Sequence, residues 1–339
     1  MTTPTHPYGW RDFDAEIVEG LAENDSRFIS RRAGGWIACP LNGHYDTKLP
    51  WREDNHRKGS VPAGDPPASF RASPTYVLQD PLDNVIAGRD LIAEAVSGGW
   101  GRTEAARLGN ETSEAALAWN VLRSLQELGE LDRAARVLAE VEPRAEPELL
   151  FWERRIEQGA TAPWAAIAAL REELDPGATQ ASGPDAGLHI PGWGWILIDV
   201  KFGGGSDLLD DPAGVEAWLA RFAIPCPGLF DVEAIRNARP RDFPHELLAT
   251  IALAHRLRAE EEQAVVVALA RESELVGVEK WVGRCLAESA DVAFRRVTWE
   301  SLYRALDPTD PKLEPLRAYL ENKSYGLRPA FALQEEEPD

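Results

Sequence analysis

Two aspartates and a lysine fall within the stretch 183–202: Asp185 directly after Pro184, then Asp199-Val200-Lys201 at the end of an apolar run. Two carboxylates set beside a backbone carbonyl are hard oxygen donors suited to Mg2+, and a divalent cation there polarises a phosphate and acidifies a bound water. Asp185, Asp199 and the Val200 carbonyl are the candidate metal ligands. Lys201 is the candidate for orienting the water and offsetting phosphate charge. The chemistry such a set serves is metal-dependent phosphodiester hydrolysis.

A hairpin would bring the two acids together. Leu188-His189-Ile190 and the run from Trp195 to Phe202 are rich in β-branched, aromatic and leucine residues, and Pro191 to Gly194 supplies turn geometry between them. Folding about Gly192 sets position 185 opposite position 199, since both are equally far from the bend. Opposed residues have Cβ atoms about 4.5–5.5 Å apart, and like charges so placed destabilise a sheet by up to about 1 kcal/mol unless something neutralises them. Strand alternation puts Trp195, Leu197, Asp199 and Lys201 on one face and Ile196, Ile198, Val200 and Phe202 on the other.

The Asp/Glu-x-Lys triplet alone discriminates little, because four of the six lysines sit in one. Asp46-Thr47-Lys48 lies among turn formers, Asp310-Pro311-Lys312 contains a proline, and Glu321-Asn322-Lys323 sits at an expected helix end. Only Asp199-Val200-Lys201 follows an unbroken apolar strand and has a Pro-Asp at hairpin distance. The competing reading of the same residues is an edge strand with a solvated Asp and Lys, preceded by an ordinary turn.

A further acid heads an amphipathic helix expected over 113–128. Thr112 and Ser113 can cap it, and Leu117, Val121, Leu125 and Leu128 recur at helical spacing before Gly129. Glu114 lies at the N-terminal end of that apolar face, aimed at whatever the helix packs on; the alternative is an acid favoured there by the helix dipole alone.

Composition bounds the rest. A chain of 339 residues with 44% hydrophobic content can bury a sizeable core as one domain or two. It has no apolar run of about eighteen residues and no basic-then-apolar N-terminus, so no membrane partner and a cytoplasmic location are expected. Cys39, Cys226 and Cys285 are odd in number and widely spaced, which speaks against a disulfide scaffold; Cys39-x4-His44 with His56 is the nearest approach to a zinc cluster. The net charge of −20 argues against generic coating of nucleic acid. Residues 27–72 depart from it: eight cations, among them Arg31, Arg32, Arg57 and Lys58, against four acids give +4 there and leave −24 for the remainder. That segment is either a phosphate-contacting arm or a solvated loop.

Residues 1–80 carry little periodicity beyond Phe13 to Leu21 and a short strand at 27–29. A short strand at 75–78, a helix over 81–96, an amphipathic segment over 132–140, one strand over 148–156 and a helix over 164–174 are expected before the hairpin. Gly203-Gly204-Gly205 then interrupts regular structure, as a connector or as a place where a substrate backbone approaches. Helices over 212–223 and 246–260, a fully buried strand over 264–270, a helix over 272–288, a strand over 294–298 and helices over 299–306 and 312–323 follow.

Helix 113–128, strand 148–156, the two hairpin strands, helix 246–260 and strand 264–270 give the order αβββαβ, an α/β fold with a mixed sheet. This order, with Ser113-Glu114, Gly183-Pro184-Asp185-Ala186-Gly187-Leu188, Asp199-Val200-Lys201-Phe202 and Tyr319-Leu320-Glu321-Asn322-Lys323, resembles the PD-(D/E)XK nuclease superfamily, in particular a prokaryotic restriction-endonuclease-like family. The resemblance spans roughly 100–333. It implies a restriction-endonuclease-like core over 101–333, behind an irregular, partly basic N-terminal region (1–100) and ahead of an acidic tail (334–339). It further implies that Asp185 and Asp199 hold Mg2+, that Lys201 serves the attacking water, and that Glu114 completes the site directly or through water. Relatives of this kind often carry a glutamine on the helix after the Asp-x-Lys strand, where this chain has Glu246, and Glu246 is accordingly left out of the expected site.

The expected function is a Mg2+-dependent endonuclease acting on DNA in restriction or defence, with a two-fold dimer if both strands of a duplex are cut. Two other readings stay open. One is a protein of the same fold that binds nucleic acid without turnover; the other is an acidic protein that binds other proteins.

Overall fold

A computed structural model of the chain describes residues 31–33, 36–38, 82, 85–97, 108, 113–152, 154–157, 160–174, 183–201, 212–238, 244–272 and 275–322. In chain order the elements are β1 (Arg31–Ala33), β2 (Trp36–Ala38), α1 (Arg89–Ser97), α2 (Glu114–Glu127), α3 (Leu131–Ala139), β3 (Glu148–Phe151), β4 (Arg154–Glu157), β5 (Ala160–Pro163) and α4 (Ala165–Leu174). Then come β6 (Ala186–Ile190), β7 (Gly194–Val200), α5 (Pro212–Trp218) with a π-helical turn over Leu219–Ala223, α6 (Val232–Asn237), α7 (His245–Leu257) and β8 (Gln263–Ala270). The last are α8 (Val278–Cys285), β9 (Ala293–Thr298), α9 (Trp299–Ala305) and α10 (Glu314–Asn322).

β1 and β2 pair with each other, and the remaining strands form one seven-stranded sheet in the order β5-β4-β3-β6-β7-β8-β9. β5 through β7 are antiparallel neighbours, whereas β8 and β9 run parallel to β7, so the sheet is mixed. Setting aside β4, β5 and the inserted helices α3 to α6, α2-β3-β6-β7-α7-β8 is the αβββαβ succession expected from sequence.

Helices cover both faces. On one, Ile196, Ile198 and Val200 of β7 and Val265, Val267 and Leu269 of β8 pack with Leu117, Trp119 and Val121 of α2, and with residues of α1, α3, α9 and α10. On the other, Trp195, Leu197, Val266 and Ala268 pack with Leu247, Leu248 and Ile251 of α7 and with α4, α5, α6 and α8. Every residue of β7 is buried, and every residue of β8 after Gln263. Continuous apolar runs suit that central place, since each fully buried Val, Leu or Ile contributes about 1.5–3 kcal/mol.

Three expectations need correction. The strand expected over 148–156 is a hairpin: Trp152 takes φ +46°, outside the β region, and the chain reverses so that Phe151 pairs with Arg154. The helix expected from 81 begins at Arg89, because Gly88 at φ +57° cannot continue a helix and the segment before it is drawn towards α2. There Ile86 N donates to Asn120 Oδ1 (2.9 Å) and Trp119 Nε1 donates to the Ala87 carbonyl (2.8 Å). Val85, Leu91 and Ile92, ahead of residue 100, are buried in the core that α2 builds. The helix expected over 272–288 shortens to Val278–Cys285, since Leu275 and Gly277 have left-handed φ of 51° and 83°.

Cys226 and Cys285 are buried free thiols, both pushed up to about 11 by burial first of all. Among the described residues no helix is long and apolar enough to cross a membrane. The expected strands at 27–29 and 75–78, the Cys39, His44 and His56 group, Gly203 to Gly205 and the acidic tail lie outside the described residues.

Candidate active site

The hairpin register is Ala186↔Ile198 through Ile190↔Gly194, so Asp185 stands opposite Asp199 one step beyond the ladder. One step further, Val200 would pair with Pro184, and a proline has no N–H to give. The Val200 amide instead donates to Asp185 Oδ2 at 2.7 Å. The Val200 carbonyl, on that same edge of β7, meets no ladder donor there. The backbone of Asp185 is held too, because its carbonyl accepts from Trp152 N at 3.2 Å. The Trp152 ring stacks on Trp119 of α2, centroids 6.1 Å apart and planes 8° from parallel. The left-handed residue that breaks the expected strand therefore joins the start of β6 to the helix that carries Glu114.

Asp199, 5% exposed, lies on the face of β7 that α7 covers. Lys201 shares that face, its Nζ 3.2 Å from Asp199 Oδ1 and 3.1 Å from Glu246 Oε2 in the first turn of α7. The Lys201 backbone is fixed on both sides: its amide donates to the Leu269 carbonyl of β8 at 2.8 Å, and its carbonyl accepts from Trp299 Nε1 at 3.3 Å.

Ser113 Oγ caps α2 by accepting from Ala116 N at 3.1 Å, which holds half-buried Glu114 in the first turn. Glu114 reaches the group by its charge, which is felt, as the last of several influences, by both Asp185 and Lys201.

Burial, then the facing charge of Asp199, pushes the Asp185 carboxyl well above the usual aspartate range, against the Val200 amide and the Lys201 ammonium. Asp199 is raised by burial and by Glu246, with Lys201 opposing. Burial by itself would lower Lys201; Asp199, Glu246, Asp185 and Glu114 outweigh it, so its pKa rises and it stays an ammonium. The site thus gathers four carboxyl groups, Asp199, Glu246, Asp185 and Glu114, around one lysine.

Donor chemistry fits a hard cation. Asp185 Oδ1, Asp199 Oδ2 and the Val200 carbonyl accept no hydrogen bond from the described residues. Among those residues no three His, Cys, Asp or Glu side chains gather closely enough to enclose a metal unaided. Two carboxylates, a carbonyl and water are the sparse ligation that Mg2+ accepts, since it keeps much of its hydration.

Of the residues singled out from sequence, Asp185, Asp199, Val200 and Lys201 come together and Glu114 lies within charge reach. Arg31 and Arg32 lie on β1, with side chains outside the described residues, as are Arg57 and Lys58 entirely. Sequence reasoning missed Glu246 and Trp299. An acid in the first turn of the helix that follows an Asp-x-Lys strand was a signal for Glu246; nothing local marks Trp299, 98 residues from its partner. No protein-family model, curated protein or solved structure matches this chain.

Proposed function

We propose that this protein is a Mg2+-dependent endonuclease that hydrolyses phosphodiester bonds in DNA, with a PD-(D/E)XK-like core over 101–333. The observation that carries the reading is the facing pair Asp185 and Asp199, with the Lys201 ammonium 3.2 Å from Asp199, at the open end of a buried strand. The αβββαβ succession supports it independently.

Asp185, Asp199 and the Val200 carbonyl would hold the cation, with Glu114 completing the site directly or through water. Bound there, Mg2+ supplies polarisation of the scissile phosphate and a more acidic water. Lys201 acts as a fixed positive charge: it orients the attacking water by hydrogen bonding and offsets charge gathering on the phosphate. The water oxygen forms the new bond to phosphorus, the bond to one flanking nucleoside oxygen breaks, and that oxygen leaves with a proton. Basic side chains of residues 27–72, Arg31, Arg32, Arg57 and Lys58 among them, would contact phosphates outside the cleavage site. Cutting both strands of a duplex would take a two-fold pair of chains, and sedimentation of the protein with a DNA duplex tests that.

Supercoiled plasmid incubated with and without Mg2+, beside Asp199→Ala and Lys201→Ala, tests the activity. Nicking or linearisation that needs Mg2+ and disappears in both variants is expected. Metal-independent cutting, or equal cutting by the variants, would overturn it. The charge of −20 favours one alternative, an acidic protein that binds other proteins without turnover. That reading predicts capture of protein partners alone, no retention of DNA at low salt, and no effect of metal.

A further inference from the structure

Lys201 follows the last residue of β7 on a stem of four rotatable carbons, which left to itself would sample many positions. Its ammonium is held between carboxylates of two separate elements, Asp199 at 3.2 Å and Glu246 at 3.1 Å. α7 is seated firmly enough to serve as an anchor: Leu247, Leu248 and Ile251 are buried, and Trp218 Nε1 donates to the His245 carbonyl at 3.1 Å.

The backbone of Lys201 has its own anchor in the junction between β9 and α9. Thr298 Oγ1 caps α9 by accepting from Ser301 N at 3.1 Å. Trp299, 1% exposed, donates its indole N–H to the Lys201 carbonyl. Glu300, equally buried, accepts the Glu272 amide on both carboxylate oxygens at 3.1 Å. Neighbouring residues of one junction thus tie down the chain just past the ends of β7 and β8, where the candidate site opens.

We infer that Glu246 and Trp299 are positioning residues that hold Lys201 for the reaction, Glu246 through the ammonium and Trp299 through the backbone; the inference rests on the nuclease reading for its catalytic part. Displacing a catalytic group by about 1 Å can cost about a hundredfold in rate. Neither residue needs to touch substrate to matter.

The test is steady-state cleavage of plasmid in saturating Mg2+. Glu246→Ala and Trp299→Phe each lower kcat about tenfold, while KM moves by no more than about twofold. Glu246→Gln, which keeps an oxygen within reach of Nζ, recovers kcat to within about threefold of the parent protein. A purely structural ion pair would lower Tm in Glu246→Ala and leave kcat unchanged, and that result would overturn the inference. Should the parent protein cut no nucleic acid, the nuclease reading falls by itself, and amine acetylation followed by peptide mass spectrometry judges the positioning. Lys201 then labels more slowly than the exposed Lys280 and Lys312, and its rate relative to Lys280 rises in Glu246→Ala and Trp299→Phe. Equal ratios in all three proteins would sink the positioning too.

Discussion

Val200 donates its amide hydrogen to the Asp185 side chain at 2.7 Å, where a regular hairpin would have sent it to a backbone carbonyl. Pro184 ends the ladder because it has no N–H to return. Asp185 takes the vacated place, and one backbone exchange sets a carboxylate against its counterpart on β7.

That placement makes the Asp185 carboxyl hard to ionise, by burial and by the facing charge of Asp199. A carboxyl whose folded pKa lies above its unfolded value holds its proton more tightly in the folded chain, so stability falls as pH rises through the interval between the two. Asp185 is raised by burial and by Asp199, and Asp185→Asn removes this loss while keeping an acceptor for the Val200 amide. In EDTA at pH 8 the variant should be more stable than the parent by about 1 kcal/mol, with the gap closing towards pH 4. Urea denaturation at the two pH values measures it.

Mg2+ should reverse the order. At about a hundred times its dissociation constant a ligand specific for the folded state adds about 2.7 kcal/mol. The parent protein should show that rise on calorimetry and Asp185→Asn much less. Equal shifts in both would place any bound cation elsewhere.

Lys201→Met leaves Asp199 and Glu246 facing each other without the charge between them. A loss of about 2–3 kcal/mol is expected, near the low end for a broken buried pair because the Glu246 side chain is 31% exposed. Adding Asp199→Asn should return at least about half of the loss, a coupling within the ordinary range for contacting residues. Activity should not return with it.

Two glycines of the hairpin separate register from turn. A Cβ on Gly194, φ +134°, would lie 2.0 Å from the Gln263 carbonyl oxygen, whereas one on Gly192, φ +76°, would meet nothing within 4 Å. Gly194→Ala should therefore cost about 3 kcal/mol or more by prising β7 from β8. Gly192→Ala should cost only the backbone penalty, about 1–2 kcal/mol. Thermal melts distinguish the two.

For the basic segment, replacing Arg31, Arg32, Arg57 and Lys58 by Gln should weaken DNA binding. For each phosphate no longer neutralised, the slope of log affinity against log salt should shrink by about 0.9. Fluorescence anisotropy over a salt series reads both quantities, and an unchanged slope would dismiss the segment as a phosphate-contacting arm.

What the amino-acid sequence determined by itself is short-range. The bend at Gly192 and strict alternation along β7 put Asp185 opposite Asp199 and Lys201 on the face of Asp199, because a hairpin register is counted outward from its turn. The apolar run of β8 and the Ser113 cap of α2 were legible on the same ground. Tertiary structure decided the rest. Trp152 turned the chain within an expected strand, where its ring stacks on Trp119 and its amide reaches Asp185, an arrangement that no strand propensity encodes. Glu246 and Trp299 meet Lys201 across 45 and 98 residues. Their meeting depends on how helices settle on both faces of the sheet, and a local pattern of residues carries no record of the distances that packing closes.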